Sequence, residues 1–189
     1  IYPTSSTYEK YASEFKDNIF FNEPGSAIAT VSVNYGRTTY NHTSKTTDSQ
    51  KESTRKALLN KEFRQALNFA VDRNSYSAQT NGTEGAAVAI RNTFSPYDLQ
   101  VGDKQFGKLV EESLAKTNSS TWSNVSLADS QNGLYNEEKA KAAFAKAKES
   151  LKAEGVEFPI HLDALTIQES TAVVNRVQSL KQSIENVLG

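Results

Sequence analysis

The sequence predicts one α/β domain spanning residues 1–189. Three observations carry that expectation. The chain is long enough for one sizeable core. Two long stretches repeat apolar residues at helical spacing, and between the helices lie short runs that alternate apolar and polar residues, as half-buried strands do. Hydrophobic residues make up 37% and charged residues 23%.

The elements follow in chain order. "SSTYEKYASEF" forms a short helix capped by Ser5 or Ser6, Asp17 and Asn18 turn the chain, and "NIFFN" is a short strand. "EPG" (Glu23 to Gly25) breaks it. In "SAIATVSVNYG", Ala29, Val31, Val33 and Tyr35 share one parity and are expected in the core, while Ile28, Thr30, Ser32 and Asn34 share the other. "RTTYNHTSKTTDSQKEST" is polar and without period, and is expected as a long loop.

A helix with Asn60 as cap then carries Phe63, Ala66, Leu67, Ala70 and Val71 as one stripe. Asp72 caps a second, shorter helix ending near Asn81 and Gly82. The stretch through "AAVAIRNTFSPYDLQVGDKQ" is loop, "FGKLVEESLAK" is helix, and "TNSSTWSNVSLADSQNG" is irregular. Asn136 caps a long helix with Glu137 and Glu138 at its positive end. Its stripe is Ala140, Phe144, Ala147 and Leu151, and Gly155 stops it. "EFPIHLDAL" is a strand, and the last helix places Val173, Val177, Leu180 and Ile184 on one face. A crossover helix normally feeds a parallel strand, so the domain is expected to be incomplete at both ends.

Composition excludes several function classes. With 21 basic and 22 acidic residues, net charge -1, there is no long-range positive field to draw nucleic acid, and no nucleic-acid partner is expected. The absence of Cys removes disulfides, thiolate metal sites and thiol nucleophiles. Only two His are present, and His42 and His161 lack the companions that metal-ligand spacing requires. No GxSxG elbow or Gly-rich phosphate loop occurs. Neither catalytic residues, metal nor cofactor is expected. No run reaches the ~20 apolar residues that span a bilayer.

Local chemistry assigns the charges of "LLNKEFRQALNFAVDRNSYSAQTNG" to support. Arg64 and Asn68 lie one turn apart, off the apolar stripe, and Asp72 and Arg73 sit at the joint between two helices, where hydrogen bonding accounts for them. Among the aromatics, Tyr35, Tyr40 and Tyr97 lie in or beside polar loops and are candidates for a binding surface.

That same run resembles the signature of the peptide- and nickel-binding solute receptors of ABC importers, extracytoplasmic family 5, through Arg64, Gln65, Ala66, Leu67, Asn68, Ala70, Asp72 and Arg73. "GLYNEEKAKAAFAKAKESLKAEGVEFPIHLDAL" resembles a second element of that family. The wording of "SKTTDSQKESTRKALLNKEFRQAL" is similar to that of streptococcal Ami/Ali-type oligopeptide-binding lipoproteins.

The resemblance implies a two-lobed periplasmic-binding-protein-like fold of type II, a Venus flytrap. This chain would be most of lobe II, one α/β domain of a larger protein. It implies non-catalytic oligopeptide binding for import, an ABC permease as partner, a monomer, and a Gram-positive cell-surface location through a lipid anchor outside this chain. It nominates Thr30, Ser32, Asn34 and Tyr35 on the "AIATVSVNYG" strand as ligand-binding residues. Their polar parity suits hydrogen bonding to a peptide backbone. Family members often carry an acidic residue on this strand for a ligand amine; Ser32 stands near that place. The alternative function is a surface interaction or adhesion module acting through the polar loops.

Overall fold

The computed structural model describes residues 3–20, 30–90, 92–128, 134–166 and 170–189. Helices dominate: α1 Ser6–Tyr11, α2 Asp48–Leu59, α3 Lys61–Ala70, α4 Arg73–Ala86, α5 Phe106–Thr117, α6 Ser119–Trp122, α7 Glu137–Ala153 and α8 Thr171–Leu188. A short 3-10 turn spans Lys16–Asn18. Among the described residues the sheet is one antiparallel hairpin, β1 Gln100–Val101 with β2 Lys104–Gln105, turned at Gly102 (φ 66).

Side-chain caps set most helix starts. Ser5 accepts from the Tyr8 amide, Asn60 from Phe63, Asp72 from Ser75, Asn118 from Thr121 and Asn136 from Lys139. Each satisfies an amide that the helix itself leaves without a partner. Gly155, at φ 74, takes up the left-handed conformation beyond the end of α7.

The α/β expectation is met in part. Residues 30–36 and 157–166 run outside helices without ladder partners among the described residues, and Ile19 and Phe20 form no strand there. Strand patterning describes which faces a segment offers, but a strand exists only when another pairs with it. The rest of "NIFFN" and residues 26–29 lie outside the described residues. The assignment of the Val parity to the core is corrected: Val31 is 71% and Tyr35 43% exposed.

α2 is a second correction, because the polar stretch expected as loop becomes helix at Asp48. Thr47 and Gln50 form a reciprocal capping box there. The helix escapes a hydrophobicity reading because its buried positions are Ser53, Thr54 and Ala57. Further on, the helix that Asp72 caps breaks at Gly82 (φ 67, ψ 173), where its end is expected, and a second helical run carries α4 on to Ala86. A single helical turn, α6, forms inside the stretch expected as irregular.

Three clusters make the core. Phe63 of α3 meets Ala57, Ala147, Leu151 and Val156, with Phe144 and Phe158 beside them. Phe69 and Ala70 meet Ala140 of α7 and Val187 of α8. Val125, Leu127 and Leu134 gather with Tyr97, Leu114 and Trp122. α3 touches the first two clusters, and its most extensive helix contact is with α7. The small residues Ala66, Ala140 and Ala147 are fully buried, which lets those two helices approach closely.

Leu151 is 0% exposed and Leu165 74% exposed. Leu151→Ala is expected to lower unfolding free energy by about 2 to 5 kcal/mol through lost transfer energy plus a cavity. Leu165→Ala should stay within about 0.5 kcal/mol of the parent. Urea denaturation followed by circular dichroism reads both.

Candidate functional site

The site is built around a segment whose backbone is held by side chains. Ser53 Oγ accepts from the Glu157 amide at 3.0 Å. The Thr54 hydroxyl lies 3.0 Å from the carbonyl oxygens of both Gln50 and His161. The polar buried face of α2 thus supplies hydrogen bonds to residues 157–161 that a neighbouring strand would otherwise provide.

Beyond His161, Asp163 gathers the polar loop. Its carboxylate accepts from Arg37 at 2.5 Å, from the Thr43 hydroxyl at 2.6 Å and from Lys45 Nζ at 2.6 Å. The Ser44 amide and hydroxyl lie at 3.3 and 3.4 Å. The Lys45 side chain is only 2% exposed and that of Asp163 9%. Burial alone pushes the Asp163 carboxyl up, but the hydrogen bonds from Lys45, Thr43 and Arg37 outweigh it and hold the group well below the usual carboxylate range. Arg37 also donates to the carbonyls of Thr39 and Asn41, and its guanidinium lies 4.7 Å from the Tyr40 ring centre. The loop from 37 to 45 is therefore fixed by one anion, although its sequence has neither period nor apolar anchor.

Between this loop, α3, α4, the 158–166 segment and α8 lies an open hollow of about 2560 Å³. All four nominated residues, Thr30, Ser32, Asn34 and Tyr35, line it. Thr30, Ser32 and Asn34 are exposed, so their hydroxyl and amide groups face solvent. Asn34 Oδ1 accepts from the Gly36 amide at 3.0 Å, a turn-forming bond that does not use its amide NH2 group. The Tyr35 ring lies 5.7 Å from the Arg64 guanidinium, so it packs as host to a cation.

Of the other tyrosines, Tyr40 lines the hollow and Tyr97 does not. Tyr97 packs against the third core cluster, and a Cβ placed on Gly107 would fall 1.9 Å from its ring. Its position next to a loop signals exposure, but a facing glycine opens the space that half-buries it.

The helix joint does what the residue chemistry predicts. Arg73 donates to the carbonyls of Asn68, Val71 and Leu134 and to Asn68 Oδ1, while Asp72 caps α4. Yet the same helix also forms a wall: Arg64, Leu67, Asn68, Val71 and Arg73 line the hollow. Sequence reading treats these residues as support alone. The available signal was the polar pair Arg64 and Asn68 lying off the apolar stripe. A smaller, mainly apolar hollow of about 470 Å³ lies on another side, between α3 and α5, with the 84% exposed Phe94 at its edge. Among the described residues no group of His, Cys, Asp and Glu is placed to hold a metal ion, and no helix is long and apolar enough to cross a membrane.

The Asp163 junction generates a pH prediction. A carboxyl whose folded-state value lies below its ordinary 3.8 stabilises the fold fully above that value. The contribution is lost as pH falls from there toward the lower folded value. Asp163→Ala should cost about 3 to 5 kcal/mol at neutral pH, because it strands Lys45 as a buried cation. The difference between parent and Asp163→Asn should be constant above about pH 5 and shrink below about pH 4. Urea titrations across that range check it; a pH-independent difference would contradict an ionic role.

No family model matches the chain. Curated relatives match along its whole length. It is 57% identical to the oligopeptide-binding protein AmiA of Streptococcus pneumoniae, covering 100% of this chain and 29% of AmiA. It is 55% identical to SarA of Streptococcus gordonii, also named an oligopeptide-binding protein, over 99% of the chain and 28% of SarA. Against AliA of Streptococcus pneumoniae the identity is 52%, over 100% of the chain and 29% of AliA. The chain spans less than a third of the length of these relatives. Over its whole length it is thus a homologue of one part of the streptococcal oligopeptide-binding proteins.

Proposed function

We propose that the chain forms one wall of a peptide-binding cleft in a larger solute receptor. It belongs to the second lobe, as a single domain, and the receptor serves ABC-transporter-mediated import of oligopeptides without chemistry on them. The observation that carries this reading is the open hollow bordered by the polar residues Thr30, Ser32, Asn34 and Tyr35, beside a loop that Asp163 fixes. An extended peptide needs donors and acceptors along a shallow, pre-ordered wall, and this edge offers them. The names of the relatives point the same way. The receptor is held at the exterior of a Gram-positive cell by a lipid outside this chain, acts as a monomer and delivers its ligand to an ABC permease.

A wall alone gives few contacts and no closure, so affinity resides in the two-lobed protein. Calorimetric titration of short peptides should show saturable binding by the full-length protein, and binding weaker by about 100-fold or more by the 189-residue chain. Replacing Ser32 by Val and Asn34 by Ala together in the full-length protein should weaken binding about tenfold or more, a loss of ~1.4 kcal/mol or more. The melting temperature should change little, since both residues are exposed. Full-length protein that takes no peptide would end the transport reading, and unchanged affinity in the double variant would remove this edge from the site.

A further inference from the structure

The wall of the large hollow is unbalanced in charge. Nine basic side chains line it against two acidic ones, Asp163 and Glu185, in a chain that totals 21 basic and 22 acidic residues. The positive charge is therefore a property of this surface and not of the composition.

Local pairing cancels only part of it: Lys51, Arg55 and Lys181 pair with Asp48, Glu52 and Glu185. Two of the cations, Arg37 and Lys45, share the single carboxylate of Asp163, which leaves one positive charge over at that junction. Four others, Arg64, Arg73, Lys148 and Arg176, form no ion pair among the described residues. Their hosts are neutral. Arg64 donates to the carbonyls of Leu58 and Leu59 at 2.8 and 2.7 Å, and Arg73 to carbonyls and an amide oxygen. Lys148 lies 5.9 and 5.5 Å from the ring centres of Phe144 and Phe158, and Arg176 lies 5.9 Å from that of Tyr76. Carbonyl dipoles and ring faces orient a cation but leave its charge in place. Concave walls of low polarisability focus the field of such charges into the space between them.

We propose that this hollow selects its ligand by charge, preferring extended peptides that carry acidic side chains. The preference rests on the peptide-binding reading above. Alternate residues of an extended chain point to the same side, so acidic residues at every second position would face this wall together. The carboxylates would meet Lys148 and Arg176, whose ammonium and guanidinium groups have no anionic partner among the described residues.

The test uses the full-length protein and three free-ended peptides of equal length that differ only in whether alternate positions are Glu, Gln or Lys. Calorimetry at low salt should show the Glu peptide binding about tenfold or more tighter than the Gln peptide, with the Lys peptide weakest. The Glu advantage should contract when salt is raised, because the surplus charges are at least partly solvated. Lys148→Gln combined with Arg176→Gln should reduce the Glu-to-Gln affinity ratio by half or more. Equal affinities, a tighter Lys peptide, or a ratio untouched by the double variant would overturn charge selection while leaving peptide binding standing. No binding of any of the three would remove both readings. A single-stranded oligonucleotide that bound more tightly than the Glu peptide would assign the positive wall to a different polyanion and overturn the proposal.

Discussion

One largely buried carboxylate organises the polar face of the hollow. Asp163 sits at the end of a segment that has no strand beside it among the described residues, and it receives two cations and three further hydrogen-bond donors from residues 37 to 45. Without that anion, Lys45 would be a buried ammonium lacking its ion-pair partner, a state costly enough to open the loop. The loop's place fixes the chain just before it, and so the exposed edge from Thr30 to Tyr35. Order in the loop beside the polar edge thus comes from an ion pair, while Thr30, Ser32 and Asn34 stay exposed to solvent.

The helical half of the molecule is arranged by different forces. α3 and α7 approach through alanines, and large aromatic rings fill the space on either side of that contact. Such a contact is non-directional and tolerates small shifts. The joint between α3 and α4 supplies direction: Arg73 spans the break by binding carbonyls of α3 and of the segment before α7. A helix rich in family-specific wording thus has two jobs, since its apolar stripe enters the core while Arg64 and Asn68 reach the hollow.

Much of this was legible in the residues. The caps at Asn60, Asp72 and Asn136, the α7 stripe and the stop at Gly155 follow from local rules that act within a few positions. α2 was hidden because its buried face is Ser and Thr, and hydrophobic periodicity cannot register a helix whose interior contacts are hydrogen bonds. The strand assignments exceeded what one chain can reveal: alternation in residues 157–165 is real, but the partner that would make it a strand is not among the described residues. The Asp163 junction could not be foreseen, because Arg37 and Asp163 are separated by 126 positions and each is unremarkable in its own neighbourhood. Parity and resemblance found the polar edge, whereas the charge of the wall emerged only when residues from α3, α4, α7 and α8 met around one space.

The Ser183 hydroxyl on α8 accepts from the Asp72 amide at 2.7 Å and contacts the Ala70 carbonyl at 2.6 Å. It therefore satisfies both the last turn of α3 and the first residue of the next element. Successive residues on a helix point about 100° apart, so sliding α8 by one position would offer Gln182 or Ile184 to those two backbone groups, and the isoleucine could serve neither. The hydroxyl acts as an indexing pin: it locks the axial setting and rotation of α8 to the joint. Any displacement of α8 transmitted from elsewhere in a longer protein would reach the guanidinium of Arg73 within a single residue of the pinned amide.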